Sequence, residues 1–151
     1  MRTVRTTEET RALGAEIAEL LRPGDLVVLT GPLGAGKTTL VQGVGEGLKV
    51  RGPITSPTFV IARVHPSLSG GPALVHVDAY RIGGALEVDD LDLDASLEDS
   101  VTVVEWGEGL VEGLADDRLE VLIERGAEGE ERRVRLRGVG ERWSAVPASL
   151  V

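Results

Sequence analysis

Residues 31–39, GPLGAGKTT, follow the apolar run LVVLT and meet the spacing G-x-x-x-x-G-K-[ST] through Gly31, Gly36, Lys37 and Thr38. Glycines at this spacing let the backbone curl so that successive N–H groups face inward, and the N-terminus of a following helix adds positive potential. The chemistry is phosphate binding: Lys37 meets the β and γ phosphates and Thr38 offers a hydroxyl to magnesium. A glycine-rich turn without a ligand would not require a lone loop lysine followed by threonine. The chain has two lysines, Lys37 and Lys49, against fourteen arginines. A compact ammonium on a flexible stem reaches between two phosphates where a planar guanidinium is bulky, which gives the exception its reason.

Magnesium on a nucleotide needs a protein carboxylate near the phosphates, and in a parallel sheet the C-terminal ends of neighbouring strands supply it. Asp78, after ALVHV, and Glu105, after VTVV, both qualify. One can hold the metal while the other orients an attacking water, and sequence alone does not divide the roles; either could instead simply cap a turn. In TSPTF, Pro57 and the nearby Pro53 stiffen a segment where Thr58 can sense a γ-phosphate. On these residues alone a plain turn entering a strand explains it better. Trp106 and Tyr80 are core fillers by default and a partner contact at their sharpest. His65 is expected in an exposed loop and His76 packed in a strand, with no spacing that suggests a metal site.

The elements that must position these groups follow from periodicity. A helix is predicted from Thr6, which forms a capping box with Glu9, through a stripe of Leu13, Ile17, Leu20 and Leu21, to Pro23 and Gly24. LVVLT is a strand buried on both faces. Leu40, Val41, Val44 and Leu48 give the next helix its apolar face, while Gly43, Gly45 and Gly47 each weaken it by up to ~1 kcal/mol, so its end is expected to fray or stop early. Strands are predicted at FVIARV, ALVHV and VTVV, and an antiparallel hairpin at RLEVLIERG and RRVRLRG. The acidic 85–100 segment reads as a short amphipathic turn and residues 107–114 as a short helix. Arg133, Arg135 and Arg137 form a stripe, but the hairpin sets Glu124 opposite Arg133 and Glu120 opposite Arg137, so charge pairs account for most of it. The layout is one α/β domain over residues 1–138 with a tail of low information at 139–151.

At 151 residues, 42% hydrophobic and 27% charged, the chain is sized for one globular domain, without an apolar run that could span a membrane. No apolar signal core opens the sequence, and the absence of cysteine excludes disulfides and thiolate chemistry, so a cytoplasmic address is expected. A net charge of −9 with pI near 4.7 disfavours direct gripping of DNA or RNA.

GPLGAGKTT, SPTF, HVDAYRI and VEWGE, in this order, resemble the TsaE (YjeE) family, the small ATPase of bacterial tRNA threonylcarbamoyladenosine synthesis, over residues 7–137. Family members commonly carry Asp where Pro32 stands and a bulkier residue at Ala79, and neither change removes a ligand. The resemblance implies a P-loop NTPase fold in three layers, with a mostly parallel central sheet and an antiparallel, β-rich C-terminal end. It implies slow ATP hydrolysis and action with TsaB and TsaD, which carries the transfer chemistry, on the adenosine beside the anticodon. It further implies that Leu33, Gly34, Ala35, Gly36, Lys37 and Thr38, with Thr39, bind ATP. Thr38 and Glu105 then coordinate Mg2+, Thr58 lies in a switch-like segment, and Asp78 and Trp106 fall at functional positions. Thr7 or Thr10 lies near the adenine. The acidic surface would dock on a basic partner surface that otherwise takes tRNA, so tRNA is met only through the complex. A GTPase is excluded because the chain contains no asparagine for a guanine-reading motif. A small kinase remains a rival, although no arginine-rich lid is visible, as does a nucleotide-sensing subunit with little turnover.

Overall fold

The computed structural model describes residues 2–31, 36–50, 62–78, 100–105, 117–126, 129 and 131–144. Seven strands form one sheet in the order β1-β7-β6-β2-β5-β4-β3: β1 Arg2–Val4, β2 Leu26–Thr30, β3 Ala62–His65, β4 Ala73–Asp78, β5 Ser100–Glu105, β6 Arg118–Arg125 and β7 Arg132–Val139. The middle four strands are parallel to one another. Both outer ends are antiparallel: β7 with β6 and β1 on one side, β3 with β4 on the other. The expected mostly parallel sheet is therefore evenly mixed. The expected β-rich C-terminal end is present, and it is extended by an N-terminal strand and matched by an antiparallel β3 edge, neither of them foreseen. RTV is too short to show periodicity; β1 exists because β7 offers it an edge.

β2 sits at the centre because its sequence allows nothing else. Leu26, Val27, Val28 and Leu29 are all buried, so the strand must be covered on both faces. Val27 and Leu29 face a core shared with Val101, Val103, Leu119, Val121 and the two helices, α1 Thr7–Ala18 and α2 Lys37–Leu48. Val28, Val77 and Val104, which alternate to the opposite face, are buried as well.

Helix α1 begins at the predicted cap. Thr6 Oγ1 accepts from the Glu9 N–H at 3.1 Å, and the Glu9 carboxylate reaches past the cap to accept from the Arg5 N–H at 2.7 Å. Arg2 of β1 donates through both terminal nitrogens to Glu16 of α1, at 3.0 and 3.1 Å, which pins the edge strand to the helix.

Helix α2 runs its full 12 residues to Leu48, contrary to the expected early end. Its glycines serve packing. A Cβ on Gly43 would collide with the Arg11 carbonyl, and one on Gly14 with the Leu40 carbonyl, so α1 and α2 cross with their backbones nearly touching. The propensity lost at Gly43 is recovered as contact.

Beyond β7, a 3₁₀ turn at Glu141–Trp143 follows. Trp143 is buried in the core. Arg142 donates to both oxygens of the buried Asp25, at 3.1 and 3.0 Å, and to the Leu20 carbonyl at 2.7 Å, with its guanidinium 4.0 Å above the Trp143 ring. Residues 139–144 are thus part of the packed structure, joining the C-terminal end to the turn between α1 and β2. No helix among the described residues is long and apolar enough to cross a membrane.

Candidate functional site

The glycine loop leaves β2 at its C-terminal end and returns into α2. Gly36, the residue before the helix, has φ 96°, a left-handed conformation that a Cβ would strain, and no side chain caps the first turn. A helix that starts this way presents main-chain N–H groups and positive potential that suit an anion. Lys37, the first helical residue, is buried, and its Nζ donates to the Gly31 carbonyl at 2.5 Å. The ammonium so links the last residue before the loop to the first after it. Thr38 and Thr39 follow on the first turn, both half-buried.

The carboxylate positions sit beside this loop by strand register. Glu105 of β5 pairs with Leu29 of β2 on one side and with Asp78 of β4 on the other. Adjacent strands lie about 4.8 Å apart, so the ends of three neighbouring strands bring Gly31, Glu105 and Asp78 to one edge of the sheet. This is the edge where parallel α/β sheets bind ligands. Glu105 is buried, and its Oε2 is 2.5 Å from Nε2 of His76, which is fully buried in β4. His76 packs in a strand as expected, but its bond to Glu105 was not foreseen. The signal was its position two residues before Asp78, which puts it on the face of Glu105 once the two strands are in register.

His65, expected in an exposed loop, closes β3 and is buried, because antiparallel pairing with Leu74 carries the strand one residue further than predicted. Thr10 is buried with its hydroxyl donating to the Thr6 carbonyl, whereas Thr7 is exposed. The hairpin register is the predicted one: Glu124 faces Arg133 and Glu120 faces Arg137, with Arg137 Nη1 3.5 Å from Glu120 Oε1. Arg132, not singled out by sequence, comes close to the loop: a Cβ on Gly36 would lie 3.9 Å from its Nε. Leu33, Gly34, Ala35, Thr58, Tyr80 and Trp106 lie outside the described residues, as do the 85–100 and 107–114 segments apart from Ser100. Among the described residues no cluster of three or more His, Cys, Asp or Glu could hold a metal.

A mixed α/β protein with a glycine loop, a buried lysine and two carboxylate positions at one edge of a central sheet is the class these features define. The family model for the threonylcarbamoyl adenosine biosynthesis protein TsaE matches residues 4–134, and the chain belongs to that family. It is 62% identical over 145 residues to the tRNA threonylcarbamoyladenosine biosynthesis protein TsaE of Streptomyces coelicolor, covering 93% of this chain and 98% of the relative. The TsaE of Bacillus subtilis is 38% identical over 137 residues, 90% of this chain and 84% of that one. The crystal structure of YdiB from Bacillus subtilis superposes with a TM-score of 0.74 at 33% identity, covering 94% of this chain and 86% of that one.

Proposed function

We propose that the protein is a magnesium-dependent ATPase of the P-loop NTPase fold that acts with TsaB and TsaD in the cytoplasm. Its role is in forming the threonylcarbamoyl modification of the tRNA adenosine next to the anticodon, with tRNA met only through the complex. The observation that carries this is the Lys37–Gly31 bond just past the C-terminal end of β2, with Glu105 at the neighbouring end of β5 in register with Leu29.

Main-chain N–H groups of residues 33–36 and the first turn of α2 cradle the phosphates, and Lys37 exchanges its Gly31 carbonyl for phosphate oxygens. The donors present suit a small hard cation: a carboxylate on Glu105 and a hydroxyl on Thr38 are the oxygen ligands Mg2+ prefers. Bound Mg2+ would neutralise phosphate charge. Asp78, the register partner of Glu105, orients the attacking water, and Thr58 senses the γ-phosphate.

ATP hydrolysis by the purified chain, measured alone and with TsaB and TsaD, tests the proposal. Slow turnover raised at least tenfold by the pair supports it. No turnover in either case would favour a nucleotide sensor, and turnover only with a small-molecule acceptor a kinase. Glu105→Gln keeps the side-chain shape and should abolish magnesium-dependent turnover; if it does not, the metal assignment moves to Asp78.

A further inference from the structure

We infer that His76 is a positioning residue for Glu105, holding one carboxylate oxygen so that the other is presented to the metal in a single orientation. The inference rests on the proposed ATPase function and adds to it a residue that does not touch the nucleotide.

Three observations carry it. β4 needs only an apolar side chain at this position: Leu74, two residues earlier on the same face, and Val103, the register partner of His76, are both fully buried. A fully buried imidazole is costly there unless it is used. Among the described residues its hydrogen bond goes from Nε2 to Glu105 Oε2, at 2.5 Å, while Nδ1 is buried without a partner there. The nitrogen that is satisfied is the one that meets Glu105. The network also assigns the tautomer. With the proton on Nε2, Nδ1 remains a bare acceptor, whereas a proton on Nδ1 would bury an unpaired N–H. Oε2 of Glu105 is then engaged, and Oε1 would be the oxygen it could offer a bound cation. Partners behind a metal ligand typically tune affinity or activity by about 10–100-fold.

The experiment compares wild type, His76→Leu and His76→Gln, each checked by thermal unfolding, in a magnesium titration of ATP hydrolysis with partners and in ATP binding without magnesium. His76→Leu should raise the magnesium midpoint or lower kcat at least tenfold while metal-free ATP affinity stays within about twofold. Gln at this position restores an N–H donor near Nε2 and should recover most of the loss. Nitrogen-15 NMR of the wild-type imidazole, read without nucleotide, should show the Nε2–H tautomer and a shift at Nε2 in Glu105→Gln. A folded His76→Leu with wild-type midpoint and kcat, or an Nδ1–H tautomer, overturns the inference while leaving the ATPase proposal standing. A wild type that binds no ATP with magnesium, yet shows the His76–Glu105 coupling by NMR, overturns the ATPase proposal and this inference with it.

Discussion

A buried ammonium must be held by oxygen, and Lys37 is held by the Gly31 carbonyl across the neck of the loop. Phosphate oxygens would take over that duty with a charge-assisted bond worth ~1.5–3 kcal/mol. Lys37→Ala should therefore weaken ATP binding by at least about tenfold, read by titration calorimetry, and Lys37→Arg should not restore it, because a planar guanidinium does not fit where a point charge does. Lys37, Thr38, Asp78 and Glu105 stand out as candidates in the sequence because each depends on local spacing or on where an apolar run stops. The His76–Glu105 bond could not. It depends on the register of two strands whose pairing is set by tertiary packing, and no spacing along the chain encodes the distance between them.

Elements show the same divide between local and long-range information. The Thr6 cap, the four buried residues of β2 and the hairpin register were legible, since capping, an unbroken apolar run and turn length are local. Gly43 was misjudged because propensity counts only the helix it belongs to, while its value lies in the approach of α1. Gly43→Ala should therefore destabilise the fold by ~1–3 kcal/mol despite the better helix former, seen as a lower Tm; an unchanged or raised Tm would mean that the helices separate freely. The β1–α1 link has its own pH signature. The hydrogen bond from Arg2 holds the Glu16 carboxyl below its ordinary value of 4.5, so in that acid range the unfolded chain binds more protons than the folded one. The contribution is full above that value and lost as pH falls through the lowered one. Both side chains are well exposed, so its size is under ~1 kcal/mol. Glu16→Gln should lower stability slightly at neutral pH and leave the two proteins equal in strong acid, measured by urea unfolding at several pH values.

The molecule as a whole carries a formal charge of −9. A surface of that sign repels a phosphate backbone, so the free protein should show no tight binding to bare tRNA at moderate salt in a filter-binding assay, and tight binding would exclude docking on a basic partner as the purpose of the charge. The sheet order has a further consequence, for synthesis. The strand that opens the phosphate loop, β2 at Leu26–Thr30, has as its neighbours β5 at Ser100–Glu105 and β6 at Arg118–Arg125. A ribosome must therefore release most of the chain before that strand has either flank. Until then four consecutive apolar residues wait without hydrogen-bonded company, the condition in which nascent chains aggregate or recruit a holdase. Nascent chains stalled before β6 emerges should be cleaved by protease as readily as unfolded ones. Protection should arrive only when the C-terminal hairpin and the Arg142–Asp25 tie are outside the exit tunnel, so that the site built around residues 31–39 is among the last parts to be finished.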